Sequence, residues 1–183
     1  MSLILVKHGS SILVESIDSL QKGLFMQILQ PFWIPNLKLI SGATEMKLAS
    51  VAATRLICAS LVLLDPSFSE LWGKMLDSII ILLAQPYQYK GELENGEADI
   101  LETLGFSTAF ARLHYGGKKE EDPLKEIRDP KEFLVTSLSR LSASYPGRYR
   151  TMIEKCVDPS NQAALLQLCT TFNCAIVKVR KFM

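Results

Sequence analysis

Apolar residues recur with a helical period over most of the chain. After Pro66, the residues Phe68, Leu71, Trp72, Met75, Leu76, Ile79, Leu82 and Leu83 fall on one face, which predicts a helix ending near Gln85 and Pro86. Over residues 44–64, Leu48, Val51, Ala52, Leu56, Ala59 and Leu63 form one stripe. Ile57, Leu61 and Leu64 form a second stripe in the later half of that segment. A helix apolar on two sides packs between neighbours rather than on a surface. The short Asp-Pro-Ser link between these segments predicts an antiparallel hairpin. Upstream, Leu13, Ile17, Leu20, Leu24 and Ile28 predict one more helix, broken near Pro31. A short helix is expected over residues 32–40, with Trp33 and Leu37 inward and Pro35 limiting its regularity.

The same pattern returns later. Pro130 opens a segment with Phe133, Leu134, Leu138, Leu141 and Tyr145 on one side, stopped by Pro146-Gly147. Tyr149, Met152, Ile153, Cys156 and Val157 mark a short partner, and Pro159 starts a last helix bearing Leu165, Leu168, Phe172, Ala175, Ile176 and Val179. Lys178, Arg180 and Lys181 at its end suit the negative pole of a helix dipole. Half of the eight prolines follow aspartate, at Asp65-Pro66, Asp122-Pro123, Asp129-Pro130 and Asp158-Pro159. Aspartate accepts from free N–H groups at a helix start, and proline next to it loses nothing, so each pair is a candidate N-terminus. No stretch alternates with period two over strand length. The fold class is all-α.

Thr54-Arg55-Leu56 and Ser139-Arg140-Leu141 take similar places in successive hairpins. Hairpins of roughly 40 residues without a strict motif fit a HEAT/armadillo-type α-solenoid of antiparallel helix pairs; an irregular helical bundle is the alternative. The layout is read as helical repeats over residues 11–85, an acidic insertion over 86–104 and terminal helical repeats over 105–183.

Composition narrows the function. Hydrophobic residues make up 48% and charged residues 21% of the 183, with mean hydropathy +0.18, which excludes disorder as the dominant state. Twenty Lys and Arg balance nineteen Asp and Glu, without the basic excess of a dedicated nucleic-acid binder. Cys58, Cys156, Cys169 and Cys174 form no C-x-x-C pair and lie in apolar helical patterns, as buried free thiols of a reducing compartment do. The residues 1–6 make no signal peptide. The uncharged stretch 159–177 holds Ser160, Asn161, Gln162, Gln167, Thr170, Thr171 and Asn173, too polar for membrane insertion.

From Gly91 onward, Glu92, Glu94, Glu97, Asp99 and Glu102 precede any basic residue until Arg112. Such a run is either a solvated loop or a docking surface for a basic partner. Gly116-Gly117-Lys118-Lys119 lacks the spacing of a phosphate loop and runs into Glu120-Glu121-Asp122, which repels phosphate. His8 and His114 do not pair as metal ligands, and Cys169 and Cys174, five apart on a helix, read as packing residues. No enzyme, cofactor or metal site is expected.

Four segments carry a family resemblance: Gly105-Phe106-Ser107-Thr108-Ala109-Phe110 and Gly116-Gly117-Lys118-Lys119-Glu120-Glu121-Asp122-Pro123, with Val6-Lys7-His8-Gly9-Ser10-Ser11 upstream and Tyr145-Pro146-Gly147-Arg148 downstream. Together they resemble the C-terminal region of the importin-α re-exporters, the cellular apoptosis susceptibility family of exportins in the importin-β superfamily. The resemblance spans residues 6–168 in order. It implies a right-handed superhelix of HEAT repeats that coils round importin-α and Ran-GTP, shuttles between nucleus and cytoplasm through the nuclear envelope, and releases its cargo on GTP hydrolysis. Glu92, Glu94, Glu97, Asp99, Lys118 and Lys119 are the candidate partner-binding residues. A runner-up from another class is a non-catalytic helical-repeat scaffold with partners unrelated to transport, or an inactive truncated fragment.

Family members are several times longer, and the N-terminal repeats that make the main Ran contacts are expected to be missing here. Residues 1–5 and the last dozen depart from the pattern. The chain is therefore expected to be a C-terminal fragment, a truncated product or a partial gene model. An interior layer without its neighbour exposes an apolar face. The helix with Leu13, Ile17, Leu20, Leu24 and Ile28 is expected to present it, giving self-association or marginal stability.

Overall fold

The computed structural model describes residues 1–85 and 124–176, and all regular elements among them are helical. In chain order these are α1 (Ser2–His8), α2 (Ser10–Asp18), α3 (Leu24–Ile28), a π-helical turn (Leu29–Trp33), α4 (Ile34–Leu37), α5 (Ala43–Ala59), a 3-10 turn (Pro66–Phe68), α6 (Ser69–Ala84), α7 (Pro130–Ser144), α8 (Arg148–Cys156) and α9 (Pro159–Thr171). α5 and α6 form the expected hairpin. α5 packs between α1 and α7, while α6 packs against α4, α8 and α9. The helices thus lie in two layers, with α1, α5 and α7 in one and α4, α6 and α8 in the other.

The two apolar stripes of α5 have their reason in this sandwich. Ala49, Ser50, Val51, Ala52, Ala53 and Thr54 are all buried in succession, together with Leu56 and Ile57. Alanines on opposite sides let α1 and α7 approach closely. Leu48 is half-buried, Ala59 is exposed and Leu61 is 82% exposed, because α5 ends at Ala59 and the chain turns before Leu61. In α6, Leu71, Trp72, Met75, Leu76, Ile79, Leu82 and Leu83 are buried as expected, and Ile80 joins them.

Three Asp-Pro pairs start helices as the capping argument requires. Asp65 Oδ1 accepts from Ser67 N–H (2.8 Å), Asp129 Oδ1 from Lys131 N–H (2.7 Å) and Asp158 Oδ1 from Ser160 N–H (2.9 Å). Asp122-Pro123 lies outside the described residues. The N–H of Ser67, with help from its hydroxyl, holds the Asp65 carboxyl below the usual carboxylate range. The hydroxyl and N–H of Ser160 do the same for Asp158. A carboxylate whose folded pKa lies below its unfolded value adds stability above the unfolded pKa of about 4, lost as pH falls through the folded pKa. Stability is therefore expected to drop on acidification below about pH 4. Asp65→Asn with Asp158→Asn keeps a capping oxygen without the charge and should flatten that limb of an acid titration followed by circular dichroism. An unchanged limb would assign it to other groups.

Four expectations fail for identifiable reasons. The helix through Leu13, Ile17, Leu20, Leu24 and Ile28 is two helices. Gly23 takes a left-handed conformation (φ 77) and Asp18 Oδ1 accepts from Phe25 N–H (2.8 Å), which starts α3 afresh. The inward register shifts accordingly to Phe25 and Leu29, and Leu20 is 81% exposed in the turn. Near Pro31 the chain does not break. The π-helical turn widens where proline has no N–H and would crowd the carbonyl four residues back, and Ile34 N–H donates to the Leu29 carbonyl five back. Trp33 is half-buried, while Ile34 takes an inward place with Leu37.

The last helix is the third case. It ends at Thr171 and does not continue to Val179, which lies outside the described residues. Asn173 is left-handed (φ 49); its N–H donates to the Thr170 carbonyl (3.3 Å), and Cys174 N–H donates to the Cys169 carbonyl (2.9 Å). Those two bonds make a Schellman end, with asparagine in the place glycine usually takes. Fourth, Tyr145 and Phe133 do not enter the core of α7: Tyr145 is 48% exposed and Phe133 half-buried.

Candidate interaction surface

The six candidate partner-binding residues, Glu92, Glu94, Glu97, Asp99, Lys118 and Lys119, lie outside the described residues, as does His114. Both rims of their segment are described. On one side, Gln85 Nε2 donates to the Lys38 carbonyl (2.5 Å), fixing the end of α6 to the end of α4. On the other, Leu124 is buried, Ile127 N–H donates to the Leu124 carbonyl (2.9 Å), and Asp129 then caps α7.

The motifs at residues 6–11 and 145–148 have structural roles. The Val6 carbonyl accepts from Arg55 Nη1 (2.6 Å), and the Arg55 guanidinium also sits 6.0 Å from the Phe133 ring centre. One arginine on α5 thereby ties α1 to α7. Arg140, its expected counterpart, is exposed. Gly9, with φ 86, turns the chain from α1 into α2 and leaves Lys7 and His8 exposed. In the second motif, Gly147 (φ 82) starts α8. Arg148 lies over Tyr149 (5.4 Å) and Tyr145 (5.8 Å) and donates to the Leu64 carbonyl, joining the α7–α8 turn to the α5–α6 turn.

Beneath that junction, Trp72 Nε1 donates to the Ile57 carbonyl (2.9 Å), and its ring stacks at a tilt on Tyr149 (5.6 Å). Asp77 on α6 accepts from Asp158 N–H (3.0 Å) and Asn161 Nδ2 (2.7 Å), which holds the start of α9. The sequence reading missed Asp77 and Gly73. Gly73 is buried where α6 and α8 meet, and an added Cβ would lie 2.6 Å from Cys156 Cβ. The signal was present as a glycine inside a strongly periodic helix.

The perturbed thiol and phenol groups have packing causes. Burial pushes the Cys58 thiol up to about 12 and raises the Tyr149 hydroxyl. All four cysteines are free thiols; Cys169 is buried and the other three are half-buried. Among the described residues no group of His, Cys, Asp and Glu is placed to hold a metal, and no helix is long and apolar enough to cross a membrane.

The apolar face expected on the helix through Leu13, Ile17, Leu20, Leu24 and Ile28 is not presented by those residues. Leu13 is only 2% exposed and Ile17 is half-buried, whereas Leu3 (44%), Ile4 (46%) and Ile12 (50%) on α1 and α2 face outward. The Leu13, Ile17, Leu20, Leu24 and Ile28 assignment is corrected by the turn at Gly23, which rotates the helices so that their inward sides meet α5 and one another.

Two layers of packed helices, tied together by the backbone-directed arginines Arg55 and Arg148, define a helical-repeat protein. The family described as CAS/CSE protein, C-terminus, matches residues 1–168, and the chain belongs to that family. The match includes residues 1–5, which the sequence reading set apart, and stops at Leu168 as the resemblance did. Exportin-2 of Pagrus major, Mus musculus and Homo sapiens are each 34% identical to it over 154 residues. That stretch is 84% of this chain and 16% of each relative, so the chain spans about a sixth of the length of the curated relatives it matches. No solved structure matches it.

Proposed function

We propose that this chain is the C-terminal HEAT-repeat portion of a nuclear export receptor that binds importin-α together with Ran-GTP and returns importin-α from nucleus to cytoplasm. The observation that carries this reading is the family match over residues 1–168, with relatives named exportin-2. The receptor performs no covalent step. Ran-GTP and importin-α favour the same coiled state of the solenoid, so each strengthens the other's binding, and GTP hydrolysis on Ran releases both in the cytoplasm. The receptor shuttles between nucleus and cytoplasm across the nuclear envelope. A layered core locked by Arg55, Trp72 and Arg148 suits this role, because a stiff layer transmits curvature along the array.

In this mechanism Glu92, Glu94, Glu97 and Asp99 steer the basic surface of a partner, with Lys118 and Lys119 completing the contact. The test is a pull-down of importin-α with Ran-GTP by human exportin-2 in which residues 1–168 of this chain replace the matching region. Reversing the four acidic charges to lysine should lower retention about tenfold at low salt, and less at high salt. Retention unchanged at low salt would return the acidic run to a solvated loop.

Self-association of the isolated chain runs through Leu3, Ile4 and Ile12 in this reading, because three outward aliphatic side chains on adjoining helices favour burial. Sedimentation should show oligomers at high concentration that Ile4→Lys with Ile12→Lys disperses; a monomeric parent chain would contradict it.

A further inference from the structure

The capping geometry at the end of α9 brings the backbones of two cysteines together. The 2.9 Å bond from Cys174 N–H to the Cys169 carbonyl fixes their backbones together. With standard bond lengths it limits their Cα separation to about 6.8 Å. Disulfides bridge Cα pairs roughly 4.4–6.8 Å apart. At a Schellman end, moreover, the side chains of these two positions meet on one side of the helix. Both thiols are free: Cys169 is 6% exposed, whereas Cys174 is more open. Cys174 Sγ lies 3.8 Å from Thr136 Oγ1 and 3.5 Å from the Phe172 carbonyl. Sulfur makes weak hydrogen bonds, so rotation of the Cys174 side chain gives up little. Cys58 and Cys156 sit on other helices, α5 and α8.

We propose that Cys169 and Cys174 are a reversible redox pair, a clasp at the end of α9 closed by peroxide and opened by a small-molecule thiol. The Cys174 thiolate attacks one oxygen of hydrogen peroxide. The O–O bond breaks, Cys174 becomes a sulfenic acid, and the departing hydroxide takes up the proton that the thiol released on ionising and leaves as water. Cys169 sulfur then attacks Cys174 sulfur; the S–S bond forms, the S–O bond breaks, and hydroxide leaves with the Cys169 proton as a second water. Two thiols lose two electrons and peroxide gains them. Cys169 is buried and Cys174 more open, which leaves Cys174 to meet peroxide first and Cys169 to resolve. Thiol exchange through a mixed disulfide restores both. Closing the clasp takes Cys174 Sγ away from Thr136 on α7, so the segment after α9 keeps its bond from Ser139 Oγ to the Ala175 carbonyl (2.8 Å) but loses a neighbouring tie.

The full chain carrying Cys58→Ser and Cys156→Ser tests this with hydrogen peroxide as the probe. Both remaining thiols should disappear with a mass loss of about 2 Da and no cross-linked dimer, and glutathione should restore them. Adding Cys169→Ser should leave a Cys174 sulfenic acid that dimedone traps. Because serine at Cys58 disturbs a packed position, the unmutated chain provides a second arm. Chymotryptic cleavage after Phe172 should leave the peptides on either side joined through Cys169 and Cys174 after oxidation. Two surviving thiols, a sulfinic acid without the disulfide, or a link from either cysteine to Cys156 would overturn the proposal.

Discussion

Trp72→Ala is expected to remove about 4 kcal/mol from the folding free energy, a large part of what a domain of this size possesses. Trp72 is fully buried and joins the two hairpins: its ring lies 5.6 Å from that of Tyr149 on α8, and its Nε1 serves the Ile57 carbonyl on α5. Alanine removes the largest buried side chain at that junction and leaves a buried carbonyl without this donor. The two losses separate cleanly. Trp72→Phe keeps most of the ring area and should cost about 1 kcal/mol for the hydrogen bond, plus a smaller packing loss. Urea denaturation measures both, and equal midpoints for parent and Trp72→Ala would show that the junction is not what stabilises the fold.

Gly73→Ala is the second large effect, and its sign is the informative part. On helix propensity alone alanine should gain about 1 kcal/mol over glycine. Here the new Cβ meets the end of α8, 2.6 Å from Cys156 Cβ and closer still to its backbone carbonyl oxygen. A side chain can rotate away, whereas this obstacle is main chain, so α8 must move as a unit. Overpacking costs typically 1–3 kcal/mol, and with backbone as the obstacle it exceeds the propensity gain. A net loss of about 2 kcal/mol is expected. Removing the sulfur with Cys156→Ala should not rescue it, since the nearest contact is the carbonyl. A Gly73→Ala chain as stable as the parent would mean that α6 and α8 are not in close contact.

These two neighbouring residues illustrate what was legible in the sequence. Trp72 could be placed from periodicity, because Met75, Leu76 and Ile79 follow it at three, four and seven residues on the same helix face. Gly73 has no side chain to enter a pattern, and its role depends on a helix more than seventy residues later. The Asp-Pro starts were legible because capping is local chemistry, fixed by a carboxylate and the N–H two residues on. Helix ends were less so. Asn173 stopped α9 through a left-handed backbone that asparagine tolerates, and Gly23 divided a run of well-spaced leucines and isoleucines that looked continuous. Pro31 erred in the opposite direction: proline predicts a break, but a wider turn absorbed it. The candidate docking residues Glu92, Glu94, Glu97, Asp99, Lys118 and Lys119 lie outside the described residues. Their assignment rests on electrostatics and family membership.

The central claim, that this chain serves as part of an importin-α export receptor, is tested most directly by thermodynamic coupling. Importin-α affinity is measured for human exportin-2 carrying residues 1–168 of this chain in the matching region, with and without Ran-GTP. Coupling through a shared coiled state predicts binding at least about tenfold tighter with Ran-GTP present. A folded chimera that binds importin-α equally with and without Ran-GTP, or not at all, would contradict it.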